Sequence, residues 1–313
     1  MVNIIAFLLI LLFPYLAHAD LTSWELDATH ASATTPYGWG QVGPTIGGSQ
    51  PSTRMTIGDA GLTAWVSGQT HVFAAKCAAS DATPATDASC SGRIYPYYGG
   101  TTYQTHDLYF QFLFYLPSAS LQVSTNYSYA EKFAWAQSAS GGEVPNAGQS
   151  CWVMLSNQTL TSRPYSYNTN FAIYANPRAT DQVYRTKIAN VTADTPHLLT
   201  VHCNQVDGGD DLMEVWYDTD PTTASPDVSV TGSFFSTSTS TYWTNIQISS
   251  NWIGWCDDIT GTDCRPMGDP ERPASVFYID YFGAYNTKPG DRMNFLTPYA
   301  PAYRGRFGTL FPR

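Results

Sequence analysis

An all-β chain, built as a two-sheet antiparallel β-sandwich or jelly roll, is what this sequence predicts, on three observations. Hydrophobic residues recur with a period of two along many short segments. Clusters of Gly, Pro, Asp and Asn bound those segments at turn spacing. No run of ten residues holds a 3.6-residue period, so the crossover helices of a parallel sheet are missing.

The elements follow in chain order. Residues 108–116 form a near-continuous apolar strand stopped by Pro117, and residues 130–137, 151–155 and 170–175 are further strands. Residues 198–204 and 211–218 pair as a hairpin across Asp207-Gly208-Gly209-Asp210, because Gly and Asp tolerate the positive φ of a tight turn. Residues 244–250 and 275–286 close the set. The Ser/Thr-rich run that starts at Ser229 carries Phe234, Phe235, Tyr242 and Trp243, which predict a loop packed on the body, not a linker. The tail from Pro298 carries Arg304, Arg306 and Arg313 among aromatics and predicts a surface wrap. With no linker and no internal repeat, residues 20–313 are expected to be one domain.

Residues 4–16 are apolar apart from Pro14 and end in Ala17-His18-Ala19, the small-x-small form that signal peptidase accepts. Residues 1–19 are therefore expected to be a signal peptide. The stretch is short for a membrane span, so the mature chain is expected outside the cytoplasm, off the membrane, and monomeric. A net charge of −10 argues against nucleic acid, whose phosphates need a basic face. Only 13% of residues are charged, so the surface is built from hydroxyl and amide groups, which match sugar hydroxyls. Six cysteines in an exported chain predict three disulfides, with fifteen connectivities open; local pairs Cys77–Cys90 and Cys256–Cys264 would each close a short polar loop, and Cys151–Cys203 would then join two strands. Asn126, Asn157 and Asn190 stand in N-glycosylation acceptor patterns.

Four segments together carry a resemblance: LYFQFLFYLPS (108–118), EKFAWAQ (131–137), HLLTVHCNQVDGGDDLMEVWYD (197–218) and SVFYIDYFGAY (275–285). Their order resembles the concanavalin-A-like jelly roll of secreted polysaccharide lyases, the alginate, glucuronan and heparin lyase types, over roughly residues 100 to 290. The resemblance implies β-elimination at a uronic acid. That chemistry needs a Tyr or His to move protons and a cationic or amide group to neutralise the uronate carboxylate. The same scaffold carries lectins and glycosidases, so a non-catalytic glycan-binding or adhesion module and a glycoside hydrolase are the alternatives.

Candidate catalytic residues are Lys132, His202 and Tyr281. Lys132 alternates with Ala130, Ala134 and Ala136, small residues that could floor a groove while Phe133 and Trp135 enter the core. His202 and Asn204, two residues apart on one strand, present an acid/base beside an amide that could bind substrate; His106, next to Asp107, is a rival. Tyr281 and Tyr285 share a face with Gly283 between them. The resembling alginate-lyase strand carries a Lys close to its Tyr, whereas YFGAYN (281–286) has none before Lys288. Tyr285, and the loop residues Tyr97, Arg163 and Tyr165, are expected to bind substrate by stacking and charge. Calcium is a possible structural cofactor, with Asp207, Asp210 and Asp211, or Asp257, Asp258 and Asp263, as oxygen-rich turns. Asp280, inside a strand, is the metal ligand that the resemblance implies. For hydrolysis, Glu131 and Glu214 are the pair of Glu residues within clear strands.

Overall fold

A computed structural model describes residues 23–28, 39–40, 53–66, 68–77, 91–96, 106–118, 129–140, 150–158, 167–178, 186–206, 210–232, 241–254 and 275–290. Fifteen strands run through them: β1 (Ser23–Asp27), β2 (Trp39–Gly40), β3 (Thr53–Thr56), β4 (His71–Cys77), β5 (Ser91–Pro96), β6 (Asp107–Tyr115), β7 (Tyr129–Ser140), β8 (Ser150–Gln158), β9 (Tyr167–Arg178), β10 (Thr186–Asn190), β11 (Pro196–Asn204), β12 (Asp211–Tyr217), β13 (Val228–Gly232), β14 (Thr241–Gly254) and β15 (Ser275–Tyr285). There is no α-helix among the described residues. The expected signal peptide and the Arg-containing tail lie outside them.

Two antiparallel sheets form the sandwich. One has eight strands in the order β13-β12-β11-β6-β15-β4-β3, with β1 paired to β15; the other has seven, in the order β10-β9-β8-β7-β14-β5-β2. The first half of β15 pairs with β4 and the second half with β1, and the register shifts at Asp280 between them. The predicted hairpin is present as β11–β12, with His202 opposite Glu214. All eight strands predicted from alternation are present, five of them (β7, β8, β9, β11 and β14) longer than the pattern shows.

The core lies between the sheets. Leu108, Phe110, Phe112 and Phe114 from β6 point into it, as do Leu199, Val201 and Cys203 from β11. Phe133 crosses from the seven-stranded sheet to pack on Phe112, Phe114 and Phe277, with centroids 5.4, 4.8 and 5.0 Å away. The Cys151–Cys203 disulfide, the predicted inter-strand bridge, joins β8 to β11 and so ties the two sheets. Closing that 52-residue separation is worth about 4 kcal/mol against the unfolded chain. Cys90, Cys256 and Cys264 lie outside the described residues. The run expected to be a loop is strand in its described parts, β13 up to Gly232 and β14 from Thr241; Trp243, on β14, is buried, and its indole N–H donates to the His106 carbonyl at 3.1 Å.

Strand β6 is central, and its near-continuous apolar run is buried on both faces. The outer face of the eight-stranded sheet is therefore covered. At one end residues 57–70 fold over it: Ile57, Trp65 and Val66 pack with Leu113, Leu198, Tyr278 and Tyr281. Trp65 stacks on Tyr115 at 5.0 Å. The backbone N–H groups of Trp65 and Val66 donate to Gln69 Oε1, and Gln69 Nε2 donates to Asp280 Oδ1 at 2.9 Å.

Candidate active site

The outer face of the eight-stranded sheet gathers most of the polar residues that the sequence singled out. Register sets them in rows. One row runs Trp216, Thr200, Gln111, Gly283 across β12, β11, β6 and β15. The next runs Glu214, His202, Tyr109, Tyr285. Asn204, opposite Asp107, begins a third at the rim.

His202 is held on both sides. Its Nδ1 lies 2.8 Å from Glu214 and its Nε2 2.5 Å from Asp107, and the Tyr109 ring stacks on it at 3.9 Å. Each ring nitrogen therefore faces a carboxylate oxygen, and the imidazole is clamped between the two acidic side chains. Neither nitrogen is left to exchange a proton with substrate. Burial, and then the Asp107 and Glu214 charges, push the Tyr109 hydroxyl up to about 12.

Tyr281 and Tyr285 meet through their hydroxyls above Gly283. A Cβ at Gly283 would lie 2.6 Å from the Tyr281 hydroxyl and closer still to that of Tyr285, so only glycine admits the pair. Burial raises Tyr285 to about 12, while the hydrogen bond from Tyr281 works in the opposite direction. Tyr281 is pushed higher, by burial first and then by the neighbouring Tyr285. Of the two, Tyr285 is the easier to ionise.

Gln111 was not singled out from the sequence. It faces this pair from the next strand, opposite Gly283. Its Nε2 donates to Thr200 Oγ1 at 2.9 Å and, at a long 3.4 Å, to the carbonyl of Gly290. Its Oε1 is buried with no hydrogen-bond partner, as is Oδ1 of Asn286. A buried acceptor left unmade costs about 1–3 kcal/mol, which marks both as places for a donor from outside the chain. Residues 286–290 fold back over the face here, and Gln111 and Thr200 are both 0% exposed.

Two expectations, Lys132 and the Glu131–Glu214 pair, need correction. Lys132 does not converge with His202 and Tyr281, because β7 lies in the seven-stranded sheet on the other side of the core. A bulge between Lys132 and Ala134 also inverts the expected faces: Ala134 and Ala136 enter the core, and Trp135 joins Trp152, Met154 and Tyr174 on the outer side. Glu131, on the same strand, is likewise separated from Glu214 by the core, so that hydrolase pair does not form. Asp280 is the anchor for Gln69 and residues 57–70, and no group of three or more His, Cys, Asp or Glu among the described residues could hold a metal.

The other assignments stand as geometry. Tyr281, Tyr285, His202 and Asn204 share the face, whereas His106 sits at its rim, 3.3 Å from Gln205. Tyr97, Arg163 and Tyr165, and the turn residues Asp207, Asp257, Asp258 and Asp263, lie outside the described residues.

No family model matches the chain, and no curated protein matches it. Among solved structures it is similar to an endo-β-1,4-glucuronan lyase from the fungus Trichoderma reesei, at 13% identity over 87% of this chain and 97% of that one, with a TM-score of 0.46. It is also similar to a PL-14 alginate lyase from Aplysia kurodai (10% identity, 85% and 98% covered, TM-score 0.46). A third is the carbohydrate recognition domain of Emp47p (10%, 84% and 95%, TM-score 0.41). The jelly-roll sandwich itself rests on the sheets described above.

Proposed function

We propose that this chain is a secreted polysaccharide lyase that cleaves a uronic-acid-containing polysaccharide by β-elimination. The observation that carries the reading is the Tyr281–Tyr285 hydroxyl pair over Gly283, with the Gln111 carboxamide opposite. Elimination needs a base for the C5 proton, an acid for the leaving oxygen and a neutral donor for the carboxylate. Tyr285, ionised, takes the C5 proton. The C–H electrons become the C4=C5 double bond and the C4–O bond breaks. Tyr281 gives its proton to the departing oxygen, and the shared hydrogen bond then resets the pair. Gln111 Nε2 donates to the uronate carboxylate, which displaces the weakly held Gly290 carbonyl. His202 is a positioning residue: it fixes Tyr109 and the two carboxylates beside the row.

The test is to incubate the protein with glucuronan, polymannuronate and polyguluronate and follow the ultraviolet absorbance of the unsaturated product. Because burial places Tyr285 at about 12, kcat/KM is expected to rise about tenfold per pH unit between about pH 7 and 9. Tyr285→Phe is expected to lower kcat about 10²-fold or more. An active wild type with an unchanged Tyr285→Phe would remove this assignment.

One observation favours a second reading, a glycan-binding module without catalysis. Gln111 and Thr200 are fully buried, so a sugar reaches them only if residues 286–290 move. Binding of a polyuronate with no unsaturated product would decide for it.

A further inference from the structure

Two basic side chains of the outer face, His202 and Lys288, have different surroundings. His202 is compensated by Asp107 and Glu214. Lys288 is exposed, and its Nζ lies 4.7 Å from the centroid of the fully buried Trp216 ring. No described carboxylate lies within salt-bridge distance of it; the two acidic side chains of this face, Asp107 and Glu214, are taken up by His202. A cation–π contact orients an ammonium without cancelling its charge. In a chain of net charge −10, a positioned and uncompensated cation over the candidate site invites an anion.

Its place relative to Gln111 is set by the sheet. Trp216 is opposite Thr200, and Thr200 is opposite Gln111. Two strand spacings separate the columns, about 10 Å. That is the length of two pyranose units laid across the strands. In an extended 1,4-linked chain successive sugars are turned over, so every second carboxylate faces the same way.

Resting on the lyase reading above, we infer that Lys288, seated on Trp216, binds a second carboxylate of the polymer about two sugars from the one that Gln111 receives. The site is thereby selective for chains that carry a second uronate two sugars away over chains in which uronates lie further apart. Lys288 is a binding residue with no part in proton transfer.

The experiment measures KM and kcat, with Kd by calorimetry, for wild type, Lys288→Gln and Lys288→Arg on oligomers of glucuronan and polymannuronate. Carboxyl-reduced forms of the same oligomers serve as neutral probes. A charge-assisted bond lost should raise KM or Kd about tenfold with kcat unchanged. It should flatten the salt dependence of binding and leave the neutral probes unaffected, and Lys288→Arg should restore most of the affinity. An unchanged KM and Kd in Lys288→Gln would overturn the inference while leaving the lyase reading standing. Tighter binding in Lys288→Gln would also overturn it, because Lys288 would then be a tether that holds residues 286–290 over the face. If the wild type binds the oligomers without cleaving them, the lyase reading fails, and the same Kd comparison still decides for or against Lys288. A wild type that neither binds nor cleaves any polyuronate overturns both.

Discussion

Replacing Gly283 by alanine tests the candidate site with a single methyl group. The added Cβ would lie 2.6 Å from the Tyr281 hydroxyl, well inside ordinary contact, and the Tyr285 ring and hydroxyl are also too close. Both rings are buried, Tyr281 beneath residues 57–70, so neither can swing away freely. Overpacking of this kind costs about 1–3 kcal/mol. Parting the hydroxyl pair leaves a buried hydroxyl unmade, which adds to it. We expect a total of about 3 kcal/mol, read in a urea titration at constant m-value. The Tm should fall by about 6 °C or more. If the pair is the proton relay, turnover should fall about 10²-fold or more in the same variant while it is still folded. Tyr285→Ala removes the collision, so the double variant should be more stable than the sum of the single losses predicts, by about 1–3 kcal/mol. Wild-type stability and turnover in Gly283→Ala would refute the placement of the hydroxyls and, with it, the base assignment.

Two further outcomes follow from the same face. His202→Ala leaves Asp107 and Glu214 close together without their shared partner and should cost about 2 kcal/mol; adding Glu214→Gln should recover part of that loss, and full stability in the single variant would show that the clamp is idle. Tyr285 is held above its ordinary value, so the unfolded chain gives up this proton first as pH rises. The associated stability is complete below about pH 10 and is lost as pH climbs toward about 12, roughly 2 to 3 kcal/mol in all. Urea titrations from pH 8 upward should show this decline, and Tyr285→Phe should flatten it.

The sandwich was legible because alternation reports which face of a strand is buried. Residues 198–204 show how far this goes: Thr200, His202 and Asn204 were placed on one face with the core residues on the other, and they lie there. The reading of faces failed just beyond Lys132, at Ala134 to Ala136, for a local reason. One extra residue in β7 opposite β8 shifts the register, and alternation carried past a bulge assigns the wrong face to every later residue. Sheet membership was a second limit, because strand pairing between distant segments leaves no mark in either segment alone. Gln111 was missed in the middle of LYFQFLFYL, where it read as one polar residue in an apolar run. That context was the available signal, since a carboxamide in a strand buried on both faces must be held by specific partners. Asp280 was noticed for the same kind of reason, and its Oδ1 accepts a hydrogen bond from Gln69.

These placements narrow the chemistry more than the sheet pattern does. His202 looked like the proton shuttle from its residue type and its neighbour Asn204. The two carboxylates that hold it engage both ring nitrogens, which leaves neither of them facing a substrate. The same clamp removes Asp107 and Glu214 from general acid–base work, because each is engaged with the ring, and so argues against hydrolysis at this place. Tyr109 lies on the same face, its hydroxyl pushed up by burial and then by the Asp107 and Glu214 charges; the group proposed to move a proton is the Tyr281–Tyr285 pair. Burial disfavours phenolate in both, and the hydrogen bond between them favours it in Tyr285. A base this weakly ionised at neutral pH suits a substrate whose C5 proton is itself made acidic by a neutralised carboxylate, which is the task assigned to Gln111. Tyr285 and Gln111 are therefore coupled. Gln111→Ala should weaken turnover through the acidity of the substrate and leave the alkaline rise in rate in place, whereas Tyr285→Phe should remove that rise. A Gln111→Ala enzyme that loses the pH dependence as well would show that the carboxamide, not the tyrosine, sets it.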